Sequence, residues 1–162
     1  MTLVYLGLGS NIDPEINLRL AVTELEKRFG SVRTSPVYRS AAIGFEGPEF
    51  LNLVAELETS GSPASIHGVL EEIHALAGRE RGCEKYLSRR LDIDLLLFGE
   101  QDINEPPIRV PRKDILEYSF VLRPLADLAP NLRHPLVGRT MGALWAEFDK
   151  DDQPLVLSDL TL

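Results

Sequence analysis

The sequence is poor in cysteine and histidine, which limits the metal and redox chemistry open to it. Among 162 residues there are one cysteine, Cys83, and three histidines. A single cysteine cannot form an intramolecular disulfide, and Cys83 has no second Cys or nearby His with which to build a zinc site. His67 and His74 lie seven residues apart on a predicted helix, and without a third ligand they do not indicate a metal site.

Long apolar stretches and an N-terminal signal pattern are also lacking. No hydrophobic run approaches 18 residues, and Met1-Thr2-Leu3 begins no signal-peptide pattern. We therefore expect a soluble, cytoplasmic protein that has no membrane partner. The 44% hydrophobic content is sufficient for a core, so we expect residues 1–162 to form a single domain.

The charge is acidic overall but basic in one segment. A net charge of −8 disfavours nucleic acid as a partner. Nine of the 17 Lys and Arg residues nevertheless fall between residues 79 and 123: Arg79, Arg81, Lys85, Arg89, Arg90, Arg109, Arg112, Lys113 and Arg123. A locally basic region in an acidic protein suits a small polyanion such as a nucleotide.

This basic segment surrounds a predicted strand that carries two acids. The run Arg89–Gly99 reads RRLDIDLLLFG, in which apolar residues at 91, 93, 95 and 97 alternate with Asp92 and Asp94. A strand sends the apolar set to one face and both carboxylates to the other, about 6.5 Å apart along the chain. Such a pair could flank a divalent metal or a close metal pair.

The alternative for the two acids is a solvated strand edge with charges of both signs. The apolar run ending at Phe98 favours a buried strand instead. Carboxylates on a buried strand need a cation or hydrogen bonds to offset their desolvation.

Two other segments suggest ligand contacts. Gly7-Leu8-Gly9-Ser10-Asn11 ends the first strand, but it matches neither a dinucleotide fingerprint nor a P-loop. In the predicted strand 50–59, Phe50 and Asn52 share one face, where an aromatic ring beside an amide can read a flat heterocycle. It is equally possible from this pattern that Asn52 satisfies a loop backbone.

The order of predicted elements indicates the fold class. Strands near residues 3–9, 32–40, 50–59 and 91–98 alternate with helices that begin at Pro14 and Pro63. The order βαββαβ is that of the ferredoxin-like α+β fold, in which an antiparallel sheet carries flanking helices on one face. Short helical segments are predicted at about 115–128, and a last helix at 140–148.

Several segments together resemble the 6-hydroxymethyl-7,8-dihydropterin pyrophosphokinases of folate biosynthesis, in the family's order and spacing over roughly residues 1–148. The matching segments are Tyr5-Leu6-Gly7-Leu8-Gly9-Ser10-Asn11, Ser35-Pro36-Val37-Tyr38-Arg39-Ser40, Phe50-Leu51-Asn52, Gly78-Arg79-Glu80-Arg81, residues 89–99, Phe120-Val121-Leu122-Arg123-Pro124-Leu125 and Leu128-Ala129-Pro130.

The resemblance implies a diphosphotransferase that moves pyrophosphate from ATP to the hydroxymethyl oxygen of the pterin. Asp92 and Asp94 would hold two Mg²⁺ ions. The implied partners are the small-molecule pterin and ATP, with no nucleic acid and no membrane, and the enzyme would be a monomer or a weak homodimer.

Further site residues follow from the resemblance alone. The catalytic set would be Asp92, Asp94, Arg79 and Arg89. The pterin would contact Ser40, Ile43, Phe50, Asn52 and Phe120. The nucleotide would contact His74, Arg81, Leu95, Ile108, Arg112 and Lys113.

The sequence departs from the family pattern mainly where the triphosphate would bind. Leu87-Ser88-Arg89 replaces Gly-Pro-Arg, Pro111-Arg112 replaces Pro-His, Tyr118 replaces an arginine, and His74 replaces a glutamate. Arg112 and Lys113 could compensate in an active enzyme, either for this pterin or for a related one. Otherwise the chain is a weak or inactive pterin-binding relative, or more remotely a metal-dependent phosphohydrolase. Because both acids are retained, the active enzyme is favoured.

Overall fold

The computed structural model describes residues 1–42, 46–78 and 91–162, which form an antiparallel sheet with helices on both faces. The strands are β1 (Thr2–Ser10), β2 (Arg33–Thr34), β3 (Tyr38–Ser40), β4 (Phe50–Thr59), β5 (Asp92–Phe98), β6 (Ile103–Glu105), β7 (Ile108–Val110) and β8 (Val156–Leu157). The helices are α1 (Pro14–Phe29), α2 (Pro63–Leu76), α3 (Asp114–Glu117), α4 (Ser119–Leu128) and α5 (Met141–Glu147). Among the residues so described, no helix has both the length and the apolar character needed to cross a bilayer.

The strand order in the main sheet is β5-β1-β4-β3-β8, with β2 also paired to β4, while β6 and β7 form a separate hairpin. Together with α1 and α2, this order confirms the predicted ferredoxin-like core. The predicted strand 32–40 is divided into β2 and β3. Pro36 has no N–H to donate, and Ser35 bonds to Val54 through both its backbone N–H and its Oγ.

The two faces of the sheet bury separate clusters. One cluster lies under α1 and α2 and includes Leu6, Leu18, Leu25, Leu53 and Ile66. The other lies under α3, α4 and α5 and includes Tyr5, Val54, Leu96, Leu122 and Met141. The prediction of helices on one face therefore holds for the βαββαβ part only. Residues that alternate along β1 and β4 are apolar on both faces, so the C-terminal helices cover the second face.

A β-bulge interrupts the alternation of β5. Tyr5 of β1 pairs with Leu97, whereas Leu6 pairs with Leu95, so Leu96 is an extra residue in β5. Leu96 and Leu97 both pack in the α4 cluster, while Ile93 packs in the α1/α2 cluster. The predicted alternation is thus correct up to Leu95 and wrong for Leu97, which the bulge shifts to the other face.

A buried histidine outside the sheet predicts acid sensitivity. The His134 side chain is almost fully buried, and its Nδ1 accepts hydrogen bonds from the N–H groups of Leu136 at 3.2 Å and Val137 at 3.3 Å. Burial lowers the pKa of His134 below its ordinary value of 6.5. The neutral ring is therefore the form that the fold stabilises.

We expect His134→Asn to flatten the loss of stability on acidification, because asparagine keeps an acceptor near Nδ1 but does not titrate. A lowered folded-state pKa means that the unfolded chain binds more protons, so the histidine's contribution is complete above pH 6.5 and is lost as pH falls through the folded-state pKa. Urea unfolding at pH 7 and at lower pH measures this difference. His67→Gln on α2 is the control, and an unchanged pH dependence in His134→Asn would contradict the assignment.

Candidate active site

Asp92 and Asp94 face two glycines of the neighbouring strand. Gly9 pairs with Asp92 and Gly7 pairs with Asp94, so both carboxylates lie on one face of β5, as predicted. Because glycine has no side chain, β1 places nothing beside the carboxylates on this face. The Asp94 side chain is 33% exposed, so the carboxylate is accessible to a ligand while remaining part of the sheet.

Arg112 is held against the acid strand by its backbone and its side chain. Its N–H donates to Leu96 O at 2.9 Å, its Nε donates to Asp114 Oδ2 at 3.1 Å, and its Nη2 lies 3.7 Å from Asp94 Oδ1. Burial alone would lower the pKa of Arg112, but the charges of Asp94, Asp114 and Asp92 outweigh it and raise the pKa. The guanidinium therefore stays charged and partly neutralises the acid pair.

The donor set at this position suits magnesium. Two half-buried carboxylates supply hard oxygen ligands, and Mg²⁺ is commonly bound by one or two carboxylates together with substrate phosphates and water. Within residues 1–42, 46–78 and 91–162, no group of three or more His, Cys, Asp or Glu side chains is arranged to hold a metal. Asp92 and Asp94 thus fit an ion whose remaining ligands come from water and an anionic substrate.

A buried amide lies in the same row of the sheet as Asp92. Asn52 of β4 pairs with Gly9 of β1, which pairs with Asp92 of β5, so the three residues are aligned across three strands. Since neighbouring strands are about 4.8 Å apart, the Asn52 and Asp92 backbones are separated by about 10 Å. A side chain at Gly9 would close this space, because its Cβ would lie 3.0 Å from Asn52 Oδ1. The row therefore places an amide and a carboxylate on either side of Gly9, and we call the open surface over Gly9 the glycine floor.

The amide of Asn52 is fixed by its neighbours. Asn52 and Ser40 are both buried, and Asn52 Nδ2 donates to Ser40 Oγ at 2.8 Å. Phe50 pairs with Ser40, so its side chain is on the same face. This bond of the Asn52 amide goes to a side chain of the neighbouring strand and not to a loop backbone.

Helix α4 places Phe120 at the same end of the sheet. Arg33 pairs with Glu56 and its Nη2 donates to Leu128 O at 3.3 Å, which holds the last residue of α4 near the distal half of β4. The helix packs along β4 and β3. Its first turn, with Phe120, therefore points towards the end of β4 that carries Asn52. Tyr118 stacks on Phe120, with ring centroids 5.0 Å apart.

His74 lies behind the acid strand and not among exposed ligand-binding groups. It is 5% exposed, and its Nε2 accepts a hydrogen bond from the Ile93 N–H at 2.9 Å. Its Nδ1 lies 3.4 Å from Glu71 Oε1. Because Ile93 stands between Asp92 and Asp94, these contacts position the acid strand, and nucleotide contact by His74 stays a prediction.

The other predicted site residues are less closely gathered. Leu95 and Ile108 are half-buried against the α1/α2 cluster, and Lys113 is exposed before α3. Their predicted contacts with the nucleotide are not tested by these positions. The predicted Ile43, Arg79, Arg81 and Arg89 lie outside the described residues.

Sequence reasoning missed a polar cluster that fastens α4 over the sheet. The Tyr38 hydroxyl donates to an Asp127 carboxylate oxygen and accepts from Arg123 Nε, the latter at 3.2 Å. Burial, reinforced by the Asp127 bond, raises the pKa of Tyr38. Tyr38 pairs with Asn52. The available sequence signal was its position two residues before Ser40, which places both side chains on one face of the predicted strand. Asp114, which holds Arg112, carried no such signal.

Comparison with known proteins identifies the family. A family model described as 7,8-dihydro-6-hydroxymethylpterin-pyrophosphokinase (HPPK) matches residues 5–130. The chain belongs to the HPPK family. Among its relatives, the enzyme named 2-amino-4-hydroxy-6-hydroxymethyldihydropteridine pyrophosphokinase from Pseudomonas aeruginosa is 40% identical over 136 residues, covering 82% of this chain and 83% of the relative. The Aquifex aeolicus protein of the same name is 35% identical over 138 residues, covering 84% and 86%.

A solved structure agrees on the fold. Wild-type Plasmodium falciparum HPPK-DHPS aligns with a TM-score of 0.72 at 16% identity, covering 91% of this chain. Because the identity is only 16%, the alignment supports the fold alone, and it covers 43% of that longer chain. HPPK membership confirms the predicted family and enzyme class, a diphosphotransferase of folate biosynthesis with ATP as the family's co-substrate.

Proposed function

We propose that this HPPK family member transfers the pyrophosphoryl group of Mg²⁺–ATP to the hydroxymethyl oxygen of 6-hydroxymethyl-7,8-dihydropterin. The observation that carries the proposal is the row Asn52–Gly9–Asp92. It provides a buried amide for a heterocycle at one end and a carboxylate for a metal-bound phosphate at the other, with no side chain between them.

The pterin would lie over the glycine floor. Asn52, oriented by Ser40, would hydrogen-bond one edge of the ring, and the backbone near Ile43 would contact the same edge. Phe50 and Phe120 would pack against its two faces, where offset stacking adds to burial. This arrangement directs the hydroxymethyl group away from Asn52 and towards Asp92.

Asp92 and Asp94 would hold two Mg²⁺ ions. When bound, these ions supply charge neutralisation on the triphosphate and align its β-phosphate. Arg112 contacts Asp94 and Asp114, so it partly balances the acids before substrate arrives, and it would then contact a phosphate oxygen of the nucleotide. An arginine at this position is always charged and can form bidentate contacts.

The nucleotide would occupy the outer edge of β5. Lys113, Arg79, Arg81 and Arg89 would supply further positive charge, and Leu95 and Ile108 would contact the base or ribose. His74 would position the acid strand from its buried side, through the hydrogen bond that the Ile93 N–H donates to His74 Nε2.

The reaction requires no protein nucleophile. The hydroxymethyl oxygen attacks the β-phosphorus, a new O–P bond forms, and the bond from that phosphorus to the oxygen bridging to the α-phosphate breaks. AMP leaves with that oxygen, and the hydroxyl proton passes to solvent. The chain's residues contribute orientation and electrostatics, which dominate phosphoryl transfer.

The decisive experiment measures AMP formation from Mg²⁺–ATP with and without 6-hydroxymethyl-7,8-dihydropterin, together with calorimetric pterin binding. AMP that appears only with pterin supports the transferase. Pterin binding without AMP would show a binding relative in which the departures near Arg112 and Tyr118 have removed transfer. Phosphate release from ATP without pterin would indicate a phosphohydrolase.

We expect Arg112→Gln to weaken the use of ATP while leaving pterin affinity unchanged. The glutamine retains polarity but cannot neutralise Asp94 or a phosphate, and a lost charged hydrogen bond is worth about 1.5–3 kcal/mol, or roughly 10- to 150-fold in kcat/KM for ATP. Initial rates at varied ATP measure this effect. Arg109→Gln on the exposed side of β7 is the control, and an ATP dependence equal to that of the control would rule out the role of Arg112.

The proposal includes a cytoplasmic enzyme formed by residues 1–162 as one domain, acting as a monomer or weak homodimer without nucleic acid. The net charge of −8 supports the exclusion of nucleic acid. Light scattering across a concentration series tests the oligomeric state.

A further inference from the structure

The junction between α3 and α4 is held by a residue from the C-terminal segment. Gln153 Nε2 donates to Glu117 O at 2.9 Å, and Gln153 Oε1 accepts from Ser119 N at 2.9 Å. Ser119 Oγ donates to the backbone O of Gln153, also at 2.9 Å. One residue thus makes three hydrogen bonds across the end of α3 and the start of α4.

These bonds perform the work of a helix cap. The first N–H groups of a helix have no partner within it, and Tyr118, which precedes α4, makes no side-chain capping bond. The amide oxygen of Gln153 satisfies the first of these N–H groups from outside. Because Ser119 is 1% exposed, water is a poor substitute for Gln153 at this junction.

Gln153 is itself held in place. Its N–H donates to Lys150 O at 3.3 Å, and the Lys150 ammonium lies 4.7 Å from the centre of the Trp145 ring. The segment that carries Gln153 is therefore attached to α5, which packs beside α4. The clamp connects two helices that already contact each other.

The aromatic pair lies at the clamped junction. Tyr118 lies between Glu117 O and Ser119 N, and Phe120 follows at once. The two rings are stacked with an angle of 20° between their planes. Release of the junction would free the backbone that sets the direction of both rings.

We infer that Gln153 is a positioning residue that holds Phe120 in the orientation needed to stack on the pterin. The inference rests on the proposed function, in which Phe120 contacts that ring. Gln153 lies beyond residues 5–130, the part of the chain that the family model matches. It would act by keeping the pterin-competent arrangement populated before the ligand arrives.

The test compares Gln153→Ala with Gln101→Ala, the other glutamine of the chain, which is exposed in the turn after β5. Pterin affinity is measured by calorimetry on the full chain with Mg²⁺ and α,β-methylene-ATP, and initial rates give kcat and both KM values. If release leaves one tenth of molecules competent, Gln153→Ala raises the pterin Kd about tenfold. The KM for ATP and kcat at saturating pterin should stay at the wild-type values.

Other outcomes have defined meanings. If the wild type binds no pterin, the proposed function and the inference both fail. If it binds pterin and Gln153→Ala binds it as well as Gln101→Ala does, the inference alone is overturned. An equal rise in both KM values with a fall in kcat would show a general structural role instead and would also overturn it.

A milder variant keeps the clamp testable if Gln153→Ala does not fold. Ser119→Ala removes only the Oγ bond to Gln153 O, so it should raise the pterin Kd by a smaller factor than Gln153→Ala and in the same direction. The backbone O of residue 153 remains in Gln153→Ala, so Ser119→Ala removes a bond that Gln153→Ala keeps. The double variant should therefore raise the pterin Kd at least as far as Gln153→Ala alone. A wild-type pterin Kd in Ser119→Ala, in a case where Gln153→Ala does not fold, would refute the clamp.

Discussion

Asp94→Asn is expected to reduce pterin-dependent AMP formation by on the order of 10³-fold, the scale seen when a key electrostatic group is removed from an active site. Asparagine preserves the shape and position of the side chain on β5 but removes the charge needed to hold Mg²⁺. Arg112 keeps its bond to Asp114, so the local fold should persist. Initial rates at saturating ATP and pterin measure the change.

Pterin affinity separates this effect from a damaged site. Asn52 lies two strands and Ser40 three strands away from Asp94, so calorimetric pterin binding should remain at the wild-type level. Asp92→Asn should behave in the same way. Asp102→Asn, in the exposed turn after β5, is the control. Turnover by Asp94→Asn equal to that of Asp102→Asn would refute the assignment of the metal pair.

Asn52→Ala is expected to have the opposite profile, weakening pterin binding while leaving ATP binding intact. The change removes the amide proposed to read the ring and leaves the buried Ser40 hydroxyl without its partner. A pterin edge that loses its hydrogen-bond partner in the complex costs about 1–3 kcal/mol, which corresponds to roughly 5- to 150-fold in affinity. Calorimetry with pterin, and nucleotide binding measured separately, give the two affinities.

Two controls make this result interpretable. Asn104→Ala, on the exposed β6, tests the same substitution away from the site. Thermal unfolding shows whether Asn52→Ala remains folded at the assay temperature. Equal pterin affinity in the two variants would show that Asn52 does not bind the pterin. The row of Asn52, Gly9 and Asp92 would then not define the pterin site.

Asp94 and Asn52 illustrate how much local pattern conveys. In a strand the side chains alternate between faces, so the placement of Asp92 with Asp94, and of Phe50 with Asn52, follows from the sequence and is confirmed by the strand pairing. The helix starts at Pro14 and Pro63 are equally local, because proline fits the first turn, where its missing N–H is not needed.

Features that depend on pairing could not be predicted in this way. The bulge at Leu96 exists because Tyr5 and Leu6 of β1 take partners that are not consecutive in β5, and nothing within residues 91–98 reveals that shift. The same holds for the glycine floor. Gly9 alone is a weak signal, and it acquires meaning only when β4 and β5 pair on its two sides.

Long-range contacts decided the rest of the site. The sequence predicted short helical segments at about 115–128, but the direction of α4 over the sheet depends on contacts to Arg33 and Tyr38, which come from β2 and β3. Likewise, Arg112 reaches Asp94 because its backbone bonds to Leu96. Such contacts join segments that are distant along the chain, so short-range periodicity contains no record of them.

Residue types at fixed local spacing were sufficient to predict the family, the βαββαβ order and the shared face of Asp92 and Asp94. Tertiary structure alone decided the alignment of Asn52 with Asp92 across Gly9, the burial of His74 behind Ile93 and the capping of α4 by Gln153. The physical reason is that strand register and helix docking are set by the packing of whole faces against each other, and no single segment carries that information.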